Sequence, residues 1–419
     1  LFIKPYYHYQ VYTVYEFLEK RFGRTSRVAG SAIFLLTRVL ASGVRVYIAA
    51  VVLVVAWKFL TGAEPALQHY LIAIILLTTI TSLYTMLGGI KAVIWTDVIQ
   101  AAIMFGGALF SLYAIVQLTP NGWEGIRAAT DNFANFKIFD TGLKGNESFG
   151  EAFFSVLGQE YTIWAALLGY VFLVMATHGT DQDMVQRMLT ATDYKRSRFA
   201  LILSGVADVP IALAFVTIGI FLYAYFRLVP DANLPKANNE IFAYFIITKM
   251  PAGLRGLIIA GVFATAMGSL SAALNALATS FVQDFYSPYM RKEAGDRHYV
   301  LAARIFTLVF AGLMILVATL AAYSVLHNPK LTIIPLALGI IGYTYGPLLG
   351  MFLLGMLTRT RGNDRGNIIA LLCGFVAICV LSGLVHVPGV HVPKIAFTWH
   401  IMFGCMVTFG VGVLFRTRS

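Results

Sequence analysis

"AVIWTDVIQAAIMF", residues 92–105, carries a single ionised side chain, Asp97, in a run otherwise suited to the interior of a lipid bilayer. A carboxylate in such a run is costly and marks a site hypothesis. Composition says what kind of run it is. Hydrophobic residues make up 58% of the chain and charged residues 12%, and the mean hydropathy is +0.76. A soluble domain carries about 25% charged residues. The chain therefore reads as an all-α integral membrane protein, because its apolar runs do not alternate as barrel strands would.

A helix needs about 20 apolar residues to cross the hydrocarbon layer. Ten segments qualify: 31–60, 68–88, 91–118, 162–185, 198–228, 252–282, 300–324, 332–357, 367–387 and 395–416. Asp97 lies near the start of the third. The stretch before the first span holds Lys20, Arg21, Arg24 and Arg27. Arg187, Lys195, Arg196 and Arg198 follow the fourth, Arg291, Lys292 and Arg297 the sixth, Arg359, Arg361 and Arg365 the eighth, and Arg416 and Arg418 end the chain. The opposite short loops hold only Lys330 and Lys394. The positive-inside rule puts the basic side and the C-terminus in the cytoplasm, with odd-numbered spans running outward. The long loop 119–161 falls outside, and its "NES" at Asn146 formally matches a glycosylation acceptor.

The net charge of +11 does not point to nucleic acid, because the basic residues sit in short loops between spans. Cys373, Cys379 and Cys405 lie in apolar runs and suggest neither disulfides nor a metal site. No nucleotide loop, metal-ligand cluster or catalytic triad appears, so an enzyme is not expected. The chain starts at Leu1 within an amphipathic stretch with no signal peptide, and the expectation is that its natural N-terminus lies upstream.

Four polar places fall inside spans. Asp97 has two readings: an interfacial acid that pairs with Lys91 or caps a local break, or a cation ligand or proton carrier. The sixth span repeats Thr265, Gly268, Ser269, Ala272 and Ala276 on one face, with Ser271 and Asn275 on the flank. Such a strip serves close helix packing, and it also lets a dehydrated cation approach hydroxyls and carbonyls. In "HGTDQDMVQR", 178–187, either the fourth span ends near Gly179, or it continues through Met184, Val185, Met188 and Leu189 past the polar cluster. In the first span Arg38 and Arg45 share a helix face. Arg38 is read as snorkelling to the interface; Arg45, deeper, must face protein, an acidic partner or an anionic ligand.

"GGIKAVIWTDVIQ" (88–100), "TDQDMVQRMLTATD" (180–193), "SLSAALNALATSFVQDFY" (269–286) and "GYTYGPLLGMFLLG" (342–355) together resemble the sodium/solute symporter family, the group of sodium–glucose, proline and sialic-acid symporters. "VYTVYEFLEKRFG" (11–23) is similar to the family's stretch before its third core helix. The resemblance covers essentially the whole chain. It implies the leucine-transporter-type fold, two inverted repeats of five helices around a midplane site. On that alignment the first eight spans are core helices three to ten and the last two are accessory, while the leading helix, core helix one and most of core helix two are missing. The implied organisation is a cytoplasmic amphipathic segment at 1–30, a transporter core at 31–357 and two accessory helices at 358–419.

The resemblance also implies sites. The family's main sodium site matches the Thr265 carbonyl, Gly268 and Ser269, where Gly268 lacks the family's hydroxyl. A second sodium site in some members matches Asp97 and Ser271, with Gly268 and Ala272 again lacking an oxygen, so one sodium is expected. Thr265, through its carbonyl, and Ser269 are the ion's implied ligands, and no other cofactor is implied. Substrate contacts are implied at Asp181, Gln182 and Asp183, at Tyr343 on the eighth span, and at Arg45, which sits on the helix where sialic-acid members hold the substrate carboxylate. The function implied is a sodium-coupled symporter of the plasma membrane. It would import a small polar solute, with a sugar slightly ahead of an organic acid, and act as a monomer with only solute and lipid as partners. A proton-coupled carrier using Asp97 and a non-transporting sensor are the alternatives.

Overall fold

The computed structural model describes residues 1–134, 136, 139–143, 145–146, 148–235, 238–328, 333–386 and 394–416. Lys330 and Arg418, counted above for orientation, lie outside these residues. In chain order the helices are α1 (Ile3–Tyr9), α2 (Tyr15–Arg21), α3 (Arg24–Thr61), α4 (Leu67–Leu118), α5 (Gly122–Ala129), α6 (Phe149–Gly158), α7 (Tyr170–Gly179), α8 (Gln182–Leu189), α9 (Tyr194–Leu228), α10 (Asn238–Lys249), α11 (Ala252–Phe281), α12 (Asp296–His327), α13 (Ile333–Leu357), α14 (Asp364–Leu381) and α15 (Phe397–Leu414). Among the described residues the one β-type pairing is an isolated bridge between Arg361 and Arg416.

Eight helical stretches are long and apolar enough to cross a membrane. Two differences reconcile them with ten predicted spans. The predicted second and third spans are one 52-residue helix, α4. A straight helix of that length would run about 78 Å, far beyond the ~30 Å hydrocarbon layer. It bends at Gly89, whose φ of 57° and ψ of −156° are non-helical. That region of backbone space is open essentially to glycine alone, and an occupant with a Cβ costs roughly 1–3 kcal/mol. Gly89→Ala is therefore expected to lower the melting temperature of the purified protein, whereas alanine at Gly106, a helical glycine with open space around its Cβ position, leaves it unchanged.

The predicted fourth span does not run unbroken over 162–185. A π-helical turn at Ala165–Gly169 leads into α7, which ends at Gly179. The apolar stretch Ala165–Gly179 is too short to qualify as a span by itself. The chain restarts as α8, capped by the Asp181 carboxylate accepting from the Asp183 amide at 3.0 Å. Both readings of "HGTDQDMVQR" thus hold in part: the helix ends at Gly179, and Met184, Val185, Met188 and Leu189 belong to a second, short helix.

The chain before the first predicted span is packed rather than peripheral. Tyr6, Tyr15 and Leu18 are buried, and α3 begins at Arg24 instead of residue 31. Asp284, buried in the π-helical extension of α11 over Val282–Met290, ties this region down. Its carboxylate accepts from Thr13 Oγ1 at 2.8 Å, Arg27 Nε at 2.8 Å, Ser31 Oγ at 2.7 Å and Ser280 Oγ at 2.9 Å. A buried carboxylate needs such donors to offset its desolvation.

The core is built from α3, α4, α11, α12 and α13, with Phe34, Leu77, Leu274, Met314 and Phe352 among its buried side chains. α4 packs closely on α11. Small residues allow this: a Cβ on Gly261 would lie 3.3 Å from Ile103 Cγ2. The approach sets Asp97 against the small-residue strip of α11.

Candidate ion and solute site

Three arginines and three aspartates lie in or beside the space between α3, α4, α8 and α11: Arg38, Arg45, Arg187, Asp97, Asp181 and Asp183. Five of them form one chain. Arg38, on α3, is only 5% exposed. Its Nη1 lies 3.1 Å from Asp181 Oδ2, and its Nη2 pairs with Asp183 Oδ2. Tyr345, on α13, donates to the same Asp181 oxygen at 2.6 Å. Arg187, on α8, approaches Asp183 with its Nε at 3.9 Å and reaches Asp97 Oδ2 with its Nη2 at 3.0 Å. Buried charges survive where they are paired and hydrogen-bonded, and these pairs join α13, α8, α3 and α4.

The sixth charge, Arg45, stands outside the chain. Two turns beyond Arg38 on α3, it makes no ion pair or hydrogen bond among the described residues. Its exposed side chain projects into two adjoining cavities. One, about 440 Å³, is mainly apolar, lined by residues such as Ile48, Ile103, Phe242, Ile246 and Ile258, with hydroxyls from Ser42 and Ser111. The other, about 220 Å³, is charged and includes Arg38, Asp97, Gln100, Asp183 and Arg187. Arg45, Met104, Thr265 and Ser269 line both and form the partition between them.

The structure therefore brings together Asp97, Asp183, Arg45, Thr265, Gly268 and Ser269 around the charged cavity. Gly268 has a steric reason beyond its missing hydroxyl: a Cβ there would lie 2.3 Å from Gln100 Oε1 and 2.9 Å from Asp97 Oδ1. Thr265 Oγ1 donates to the Gly261 carbonyl at 2.9 Å, and Ser269 is exposed to the cavity. The remaining expected residues lie elsewhere. Ser271 is fully buried and donates to the Gly268 carbonyl at 3.0 Å. Gln182 is fully buried, its Oε1 accepting from the Val14 amide at 2.9 Å and its Nε2 donating to the Tyr12 carbonyl at 3.0 Å, so it holds the N-terminal region in place. Asp181 is taken up by its cap, Arg38 and Tyr345. Tyr343 packs against His400 of α15, with ring centroids 5.6 Å apart.

Three corrections follow. Arg38 does not snorkel; it is the centre of the buried chain of charges. Asp97 neither pairs with Lys91 nor caps a break among the described contacts, because its partner is Arg187. Arg187, counted among the loop charges, is a part-buried residue of α8 whose side chain is 30% exposed. Sequence reading missed Tyr345, Arg187 and Gln100. Two carried a spacing signal: Arg187 is four residues after Asp183, and Gln100 three after Asp97, so each pair shares a helix face.

A family model described as the sodium:solute symporter family matches residues 1–374. The sodium/sialic acid symporter SiaT of Proteus mirabilis is 28% identical over 371 residues, 88% of this chain and 69% of that protein. The sodium-dependent multivitamin transporter of Oryctolagus cuniculus is 29% identical over 384 residues, 90% of this chain and 55% of that protein. The sodium-coupled monocarboxylate transporter 1 of Homo sapiens is 28% identical over 396 residues, 92% of this chain and 58% of that protein. The chain thus spans between 55% and 69% of the length of these relatives. Among solved structures, a substrate-bound, outward-open Na+-coupled sialic acid symporter superposes with a TM-score of 0.77 at 24% identity, covering 99% of this chain and 78% of that one. The fold is that leucine-transporter-type architecture.

Proposed function

This chain belongs to the sodium:solute symporter family, and on that premise we propose that it couples sodium entry to uptake of a small organic acid whose carboxylate is received by Arg45. The observation that carries this reading is the unpartnered guanidinium of Arg45, set at the partition between an apolar cavity and a charged one. A guanidinium offers a planar fork of donors that matches a carboxylate. The apolar cavity beyond it suits the rest of a compact acid better than a sugar, which needs a polar partner for each hydroxyl. The sugar expectation rested on Asp181 and Gln182, and both already have partners in the protein.

In this reading sodium binds against the oxygens of Thr265 and Ser269, on the same partition as Arg45. A carboxylate between the ion and the guanidinium faces two positive charges. Each ligand then raises the affinity for the other by the same factor. The ion shifts the outward–inward equilibrium only through its different affinity for the two states. A proton-coupled route through Asp97 finds no support, because that carboxylate is paired with Arg187. In this reading the basic loops face the cytoplasm, which the positive-inside rule supports.

Reconstituted proteoliposomes test the reading. With radiolabelled propionate and benzoate outside, uptake is expected under an inward sodium gradient and not under a matched potassium gradient. Equal uptake in the two salts would contradict sodium coupling.

A further inference from the structure

Between Val300 and Ser324, the apolar run of α12, the one ionised side chain is Arg304. It is exposed and makes no ion pair or hydrogen bond among the described residues. Arg297, seven residues earlier and so on the same face, is likewise exposed and without such a partner among them. The same face shows Val300, Leu301, Ile305 and Leu308, all exposed. The opposite face, with Phe310, Met314 and Ala318, is buried in the core, where α12 packs on α3, α4 and α11. The two arginines therefore look outward to lipid. The polar loop before the run ends at Tyr299, whose hydroxyl donates to the carbonyls of Arg291 at 2.7 Å and Lys292 at 3.1 Å. Arg304 lies about 7.5 Å further along the axis. A guanidinium at that depth is costly unless its stem lies along the apolar face and its head turns back to the headgroup layer. No acid on the helix answers it, since the residues three and four away are Val300, Leu301, Thr307 and Leu308. Glu293 and Asp296 stand nearer Arg297, yet neither pairs with either arginine among the described residues.

Arg297 and Arg304 are about 10.5 Å apart along the axis, one at the polar edge and one within the run. Two long side chains turned toward each other from these positions meet at headgroup level, where a bilayer presents phosphate. A guanidinium binds phosphate through a planar fork of donors. Two such charges on one phosphate favour a lipid whose headgroup carries no cation of its own, because the choline of a zwitterionic lipid repels them. We propose that Arg297 and Arg304 bind the phosphate of an anionic phospholipid, in the leaflet that meets the basic loops, with an acyl chain lying along Leu301, Ile305 and Leu308. Basic residues at a membrane surface attract anionic lipid in this way. The site is separate from the two cavities at Arg45, whose linings include no residue of α12, so it does not depend on the transported solute.

Lipid titration of the purified full chain in detergent, read by native mass spectrometry, tests this. The probes are dioleoylphosphatidylglycerol, dioleoylphosphatidylcholine and free glycerol phosphate. Wild type is expected to bind phosphatidylglycerol more tightly than phosphatidylcholine and to leave glycerol phosphate unbound. Arg304→Gln lowers the affinity for phosphatidylglycerol about fivefold and leaves that for phosphatidylcholine unchanged. Arg297→Gln/Arg304→Gln abolishes the preference. Lys195→Gln, which removes an exposed charge at the start of α9, keeps it. Both arginines are exposed, so the variants are expected to melt as wild type does; should Arg304→Gln not fold, Arg297→Gln carries the same comparison. Equal affinity of wild type for the two lipids, an undiminished preference in Arg304→Gln, or an equal loss in Lys195→Gln would overturn the inference. Glycerol phosphate bound as tightly as phosphatidylglycerol would make this a site for free phosphate and overturn it as a lipid site.

Discussion

Arg38→Ala is expected to destabilise the folded chain by about 3–5 kcal/mol, the range found when one partner of a buried ion pair is removed. The reason is geometric. Arg38 is 5% exposed, and the carboxylates it touches, Asp181 and Asp183, are 1% and 4% exposed. Deleting the guanidinium takes the main partner from two nearly buried negative charges, leaving Tyr345 for Asp181 and only Arg187, at 3.9 Å, for Asp183. Arg38 also ties α3 to the start of α8, so the loss falls on the junction of the broken helix. Arg38→Lys keeps the charge but lacks the planar fork that meets both acids, and an intermediate loss is expected. Denaturation of the purified protein in detergent gives the order: wild type, then lysine, then alanine. An alanine variant as stable as wild type would remove Arg38 from its assigned role.

Arg45→Gln is expected to do the opposite: leave the fold and remove the function. Because Arg45 has no ion pair or hydrogen bond among the described residues, its neutralisation strands nothing. The melting temperature should stay close to that of wild type. Solute recognition should fall steeply, because losing one member of a desolvated charge pair costs about 2–5 kcal/mol, a fall of about 30-fold or more. Uptake of benzoate at subsaturating concentration reads this directly, and Arg45→Lys should fall between the two. The paired result matters more than either alone. Two arginines on one face of one helix, seven residues apart, are predicted to fail in different ways because one meets acids and the other meets a cavity.

That contrast marks where sequence reading stops. The spans were legible because each is an apolar run of about 20 residues, a length set by the bilayer itself. The break between the predicted second and third spans was legible, although only the structure shows Gly89 bending a continuous helix there. Helical spacing put Thr265, Gly268 and Ser269 on one face of the sixth span, and the resemblance alone implied that Asp97 lies beside that span. What the opposite helix contributes was not legible. Asp181 lies 143 residues from Arg38 and 164 from Tyr345, so nothing local in the first span separates Arg38 from Arg45. Tyr343 and Tyr345 posed the same difficulty: the stretch "GYTYG" offers two tyrosines, and only the packing shows that the second faces Asp181 while the first faces His400. Gln182 misled for a related reason. Polar residues at a helix break point to a site, yet here part of the cluster holds the N-terminal region instead.

The central claim is that a carboxylate bound at Arg45 and a sodium ion at Thr265 and Ser269 stabilise each other. Titration calorimetry on the purified chain tests it most directly, comparing benzoate with benzamide, each in sodium chloride and in potassium chloride. Benzoate is expected to bind in sodium, to bind much more weakly in potassium, and to lose its binding in Arg45→Gln, while benzamide binds in neither salt. Benzamide binding as tightly as benzoate, or benzoate binding equally in both salts, would contradict the account.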